Sequence, residues 1–343
     1  MRVIVNIAAR VGNRLLASLP ALFGVLVFTF LLMRVLPGDP AVFFSSDPNA
    51  GPAEIEQLRK AMGLDKPLPV QLTYYLRDVA TGHLGKSMST GQTVVADLVE
   101  RLPASLELTF IALVLALSLA LPLGVVAALR PGSALDHVVR FVSSLGVCAP
   151  TFVAGLLLIY VFYVVLGWAP DPTGRIGAFD APPPGITGLL LIDYLVVGDF
   201  ASWRSALAQL ILPATTMALF VLAPLARMTR ASMLAALGSD FIRTARALGL
   251  SRWKVIVSYG LRNALLPVIT ITGVVFSTML GANVLVEKVF AWPGVGSYAL
   301  DALLSSDFAP VQGFVLLMAT IFVMVNLLID TLYGVADPRV SIR

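Results

Sequence analysis

Residues 207–226 read LAQLILPATTMALFVLAPLA, and residues 227–262 read RMTRASMLAALGSDFIRTARALGLSRWKVIVSYGLR. The first stretch is twenty residues without a formal charge. At about 1.5 Å of rise per residue it spans a hydrocarbon core about 30 Å thick. The second stretch carries Arg227, Arg230, Arg243, Arg246, Arg252, Lys254 and Arg262 against Asp240 alone. An apolar crossing followed by a cluster of cations marks a cytoplasmic connection. This pair of stretches predicts an all-α polytopic membrane protein.

Five further runs meet the same length, at 15–36, 104–129, 139–166, 265–286 and 312–334, which gives six transmembrane helices in all. A shorter run, 186–197, lies between Pro184 and Gly198 and reads as interfacial or re-entrant. With six spans both termini share one side. That side then holds 14 of the 24 basic and 4 of the 20 acidic residues, a net +10, and the other holds 10 and 16, a net −6. Both termini are therefore expected to be cytoplasmic. Trp168, Trp203 and Trp292 fall near outer span ends and Trp253 near the inner face, the places of an aromatic belt.

Composition agrees. Hydrophobic residues make up 58% of the chain and charged ones 13%, with a mean hydropathy of +0.88; soluble domains carry about 25% charge. The basic residues flank apolar spans and form no single stripe, which excludes a nucleic-acid partner. Cys148 is the sole cysteine, so no intramolecular disulfide can form, and His83 and His137 are too isolated to suggest a metal site. Arg2, Arg10 and Arg14 precede the first run, which imitates a secretory signal. The run is longer than the roughly 7–15 residues of a signal core, and reads as a retained span.

The expected organisation is an N-terminal segment with the first helix at 1–36, an extracytoplasmic segment at 37–103, a transmembrane core at 104–334 and a cytoplasmic tail at 335–343. Gly85-Lys86-Ser87 resembles the end of a phosphate loop, but the glycine needed five residues earlier is Ala80. It reads as an outer turn, and the chain has no nucleotide site of its own. No Ser-His-Asp, Cys-His or His-Glu-x-x-His pattern points to catalysis.

Polar residues within the spans carry two readings. Gly273, Ser277 and Gly281 recur every four residues on one helical face, which suits close helix packing. Thr278, Asn283 and Asn326 suit either packing or a polar-lined pathway. Asn326 and Asp330 are also four apart, and Glu107 reads as interfacial.

In segment 227–262, Ser239-Asp240 is a helix start and Gly249 a helix end. Phe241, Ala245 and Leu248 are expected on one face of that helix, with Arg243 and Arg246 off it. Ser251-Arg252-Trp253-Lys254 starts a further helix. The short helix is either a lipid anchor or a docking element for a soluble partner, and physics alone leaves these level.

At this segment the chain resembles the inner-membrane permeases of bacterial ABC importers. Arg243-Thr244-Ala245, with Gly249 four residues on, is similar to a degenerate EAA-x-x-x-G coupling motif. Leu36-Pro37-Gly38-Asp39-Pro40, Gly63-Leu64-Asp65 with Pro67, Leu84-Gly85-Lys86-Ser87, and residues Arg101 to Leu108 resemble the peptide and nickel branch. So do Glu287-x-Val289-Phe290, Pro293-Gly294-x-Gly296, Val311-Gln312-Gly313, Asn326 with Asp330, and Asp337-Pro338-Arg339. The resemblance covers nearly the whole chain and points to the first of two paralogous permeases. Ser306-Asp307-Phe308-Ala309 departs from the branch's usual Arg-Asp-Tyr-Pro.

The resemblance implies a type I importer permease fold in the bacterial inner membrane, importing dipeptides or oligopeptides; nickel or glutathione remains the alternative. It implies a second permease, two cytoplasmic ATPase subunits that bind the ATP and Mg, and an extracytoplasmic peptide-binding protein. It implies ATPase contact through Asp240, Phe241, Arg243, Thr244, Ala245, Leu248 and Gly249. An autonomous channel or secondary transporter would instead call for broken helices or several charges at mid-membrane, and neither is found in the sequence.

Overall fold

A computed structural model describes residues 2–35, 51–61, 63–134, 136–141, 150–177 and 180–336. Residues 36–40, Cys148 and Asp337-Pro338-Arg339, all weighed above, lie outside the described residues, as does 142–149 of the predicted third span. Among the described residues the regular elements are helices, apart from one isolated β-bridge. In order come α1 (Arg2–Val35), α2 (Pro52–Ala61), α3 (Leu68–Ala80), α4 (Val94–Leu129) and α5 (Thr151–Leu158), the last continuing as a π-helical turn over Ile159–Val165. Then come α6 (Leu190–Val197), α7 (Phe200–Leu237), α8 (Asp240–Ala247) and α9 (Arg252–Lys254). A second π-helical stretch, Val255–Leu261, leads into α10 (Arg262–Val289), followed by α11 (Val295–Leu304) and α12 (Phe308–Ala336).

Among the described residues four helical stretches are long and apolar enough to cross a membrane: Val94–Leu129, Phe200–Leu237, Arg252–Gly281 and Phe308–Ile329. Shorter apolar stretches are Leu16–Leu32, Thr151–Val165 and Val295–Leu304. The 186–197 run yields only the eight residues of α6.

The chain divides into two compact units. One comprises 1–103 with 293–324. Here Phe30 of α1 stacks at 5.6 Å on Tyr75 of α3, and Arg34 donates to Gln71 at 3.2 Å. Val94 and Leu98 pack with Val295 and Tyr298 of α11. The stretch at 85–93 is a turn closed by a bridge between Lys86 and Thr93. The Ser87 hydroxyl donates to the buried Asp307 at 2.9 Å, and the Met88 N–H donates to the same oxygen at 2.7 Å. Asp97 accepts from Tyr298 at 2.8 Å.

The other unit comprises 104–292 with 325–343 and is built around α7. In α7, 67% of the most apolar window is buried, against 33% for α4, so it is the central post rather than a lipid-facing helix. Its Pro213 and Pro224 remove backbone donors, a loss membrane helices tolerate when neighbours pack around them. Thr216 and Thr229 return their hydroxyls to the carbonyls of Leu212 and Leu225 at 2.9 and 2.8 Å, which satisfies them without water. Around α7 gather Leu108 and Ala112 of α4 and Val275 and Met279 of α10.

Trp292 corrects an expectation. It is buried, not at an interfacial belt, and its Nε1 donates to the Ala104 carbonyl at 2.9 Å. Trp168 and Trp253 are exposed.

Candidate functional site

α8 starts and stops where its sequence says. Ser239 holds an extended backbone at the N-cap position, although its hydroxyl turns back to donate to Ala236 O rather than cap the helix. Gly249 has φ +74°, a left-handed conformation that glycine adopts without the Cβ penalty. Around it Leu250 N–H bonds Ala245 O at 3.3 Å and Gly249 N–H bonds Arg246 O at 3.0 Å, the two hydrogen bonds of a Schellman stop. Ser251 Oγ then accepts from Lys254 N–H at 3.4 Å and opens the next helix.

The expected single face divides in two. Ala245 turns inward with Ile242, packing on Val255, Leu250 and Tyr259. Phe241 and Leu248 stay outside, 43% and 75% exposed. α8 is thus held from one side and presents an apolar pair on another. Thr244 bonds its own helix, donating to Asp240 O at 3.0 Å. Arg243 pairs with Asp240 at 3.3 Å, an exposed pair of small energetic weight.

The same unit holds a clamp that the sequence did not reveal. Arg230 of α7 grips Asp136 with two parallel hydrogen bonds at 2.6 and 2.8 Å, and Gly132 N–H adds a third at 3.0 Å. The guanidinium first, and the Gly132 N–H after it, hold the Asp136 carboxyl down at about 2. A lowered carboxylate pKa contributes stability that is present above the ordinary 3.8 and lost as pH falls through about 2. The stability advantage of the wild type over Asp136→Asn should therefore be flat from pH 5 to 8. It should shrink only below pH 4, as read from paired thermal unfolding curves. An advantage that changes between pH 6 and 8 would show that another group titrates in the clamp.

The residues assigned to the pathway differ in their surroundings. Thr278 is exposed and donates to Val275 O at 2.8 Å. Asn283 is buried and ties α10 to α4, donating to Glu287 at 2.9 Å and to Thr109 at 3.4 Å. Asn326 is half-buried on α12. Ser105 donates to Glu287 in the same buried network. Glu107 is buried rather than interfacial, paired with Arg175 at 2.5 Å and accepting the Leu191 N–H at 2.8 Å. The available signal was the presence of Glu107 and Glu287 inside or beside apolar runs, since a carboxylate there needs a partner.

Two family descriptions fit this architecture. Residues 120–342 match "Binding-protein-dependent transport system inner membrane component", and residues 10–109 match the N-terminal membrane component of the same systems. The chain belongs to this family of inner-membrane permeases. It is 41% identical over 331 residues to the di/tripeptide transport system permease DppB of Pseudomonas aeruginosa, covering 96% of this chain and 98% of the relative. It is 42% identical over 318 residues to the probable D,D-dipeptide permease DdpB of Escherichia coli, covering 93% of each. With the dipeptide permease DppB of Escherichia coli it shares 40% identity over 333 residues, 96% of this chain and 97% of the relative. In this permease, α8 occupies the segment read above as a degenerate coupling motif.

Proposed function

We propose that this permease forms half of the transmembrane pathway of an ATP-driven importer for dipeptides or oligopeptides. α8 carries the reading: a short helix between two spanning helices, anchored through Ile242 and Ala245, with Phe241 and Leu248 left apolar and exposed. In our reading it docks one of two ATPase subunits through Asp240, Phe241, Arg243, Thr244 and Leu248, with Gly249 fixing its end. ATP and Mg belong to those subunits. A second, paralogous permease completes the pathway, which Thr278 and Asn326 line, and a peptide-binding protein delivers substrate from outside. The peptide class rests on the names its relatives carry.

Six spans with both termini in the cytoplasm account for the charge asymmetry. Length supports this arrangement, since the 38 residues of α7 extend about 57 Å, well beyond a core of about 30 Å. In this reading the surplus includes Arg227 and Arg230 and brings the chain to headgroup level at the inner face, where α8 begins.

The test is reconstitution in liposomes with the ATPases, the second permease and the binding protein. ATP-dependent uptake of a labelled dipeptide is expected. Uptake of nickel or glutathione without peptide overturns the substrate class. Uptake by this chain alone, without ATPases, overturns the scheme.

A further inference from the structure

Beside α8 lies a cavity of about 500 Å³, lined by Ala128, Leu129, Leu237, Leu250, Val255 and Ile256, with Arg246 and Arg252 as its charged members. That volume lies within the range of about 300–1,000 Å³ typical of small-molecule sites. Its apolar wall comes from the last residues of α4 and α7 and from the start of the second π-helical stretch. Among the described residues neither guanidinium is in an ion pair, whereas Arg230 and Arg243 each have a carboxylate. Both arginines are exposed. The cavity therefore joins an uncharged, hydrocarbon-like wall to two uncompensated cations, and no carboxylate lines it.

We propose that this cavity binds an anionic phospholipid of the inner leaflet, with its phosphate between Arg246 and Arg252 and part of an acyl chain against Leu129, Leu237 and Ile256. Charge complementarity selects the occupant. A zwitterionic headgroup brings an ammonium to two guanidiniums, and an apolar peptide leaves both unpaired. The choice of leaflet rests on the topology proposed above. The site is separate from the docking pair on α8. At about 100° per residue Phe241 and Leu248 lie about 20° apart around the helix, and Arg246 lies about 140° from Phe241. A lipid here braces α8 against the ends of α4 and α7 while leaving the exposed apolar pair free.

A basic side chain at headgroup level favours an anionic lipid by about fivefold, so losing both should cost about 25- to 30-fold. The experiment is native mass spectrometry of the full-length chain in detergent, titrated with phosphatidylglycerol or phosphatidylcholine, with no ATP, peptide or partner. One tightly held phosphatidylglycerol is expected, with phosphatidylcholine retained far more weakly. Arg246→Gln with Arg252→Gln should remove the preference. Arg227→Gln with Arg262→Gln, away from the cavity, should leave it intact. Equal retention of the two lipids by the wild type overturns the proposal without any variant. So does a preference that survives R246Q/R252Q, or one lost equally in R227Q/R262Q, which would mean bulk charge only. Displacement of the lipid by added ATPase would make the cavity a protein-docking surface and likewise overturn it. Because the readout needs no transport, a failed uptake assay and a failed lipid assay are distinct results.

Discussion

Replacing Phe241 and Leu248 together by aspartate abolishes ATP-driven uptake while the permease stays folded and in the membrane. The expectation follows from how α8 divides its apolar residues. Ile242 and Ala245 hold the helix on Val255 and Tyr259, so they bear on folding. Phe241 and Leu248 belong to none of the buried clusters and are 43% and 75% exposed. Substitutions at such surface positions usually change stability by no more than about 0.5 kcal/mol. At the centre of a docked interface, an apolar anchor is worth about 2 kcal/mol or more, and a carboxylate in its place must also be desolvated. Each substitution should weaken ATPase association by about 30-fold or more, and the two together should leave uptake at background. The measurement is dipeptide uptake in liposomes alongside ATPase co-purification, with thermal unfolding of the variant as the folding control. Normal co-purification and uptake would show that α8 is not the coupling element. Loss of both with wild-type unfolding is the predicted pattern.

Four of the six expected spans and the two ends of α8 were legible because their causes are local. Twenty uncharged residues can be read off the chain, and so can a glycine where a helix must stop with positive φ. The 186–197 run was read as too short to cross, and only α6 forms there. The division of α8 was not legible. Phe241, Ile242, Ala245 and the C-cap residue Leu248 cover about 120° around the axis of α8, and nothing in that pattern says which part of the arc the rest of the fold covers. The buried polar pairs were hidden for another reason. Glu107 meets Arg175 across 68 positions, Arg230 meets Asp136 across 94, and Ser105 meets Glu287 across 182. No periodicity connects partners so far apart. Trp292 misled because a belt tryptophan and a core tryptophan share one requirement, an apolar body with a single polar partner. Here the partner is the Ala104 carbonyl. The π-helical stretches at Ile159–Val165 and Val255–Leu261 were not foreseen either.

Gly124→Ala lowers the stability of the permease by about 1–3 kcal/mol, the usual cost of inserting a methyl into a filled core, and no single change on α7 fully restores it. A Cβ at Gly124 would lie 2.6 Å from Thr229 Cβ and 2.8 Å from the Ala226 carbonyl oxygen. Helix backbones approach this closely in membranes because small residues permit it, and packing supplies the association that lipid cannot. Thr229→Gly removes one of the two obstacles. The Ala226 oxygen belongs to the α7 backbone and cannot rotate away, so the double variant should recover only in part. Gly273, in the small-residue stripe, makes the control. A Cβ there would overlap only the Ile329 side chain, and Ile329→Ala leaves just the Cβ, at the ordinary contact distance of 3.9 Å. Gly273→Ala should therefore be rescued by Ile329→Ala, less the cost of the shortened side chain. Thermal unfolding of the four variants in detergent decides the matter. Wild-type stability in Gly124→Ala, or full rescue by Thr229→Gly, would mean that α4 and α7 have room to separate. Persistent loss at Gly124 beside rescue at Gly273 would show that α4 is held against α7 backbone to backbone, a rigid contact between the post at the centre of the unit and the helix that carries Glu107.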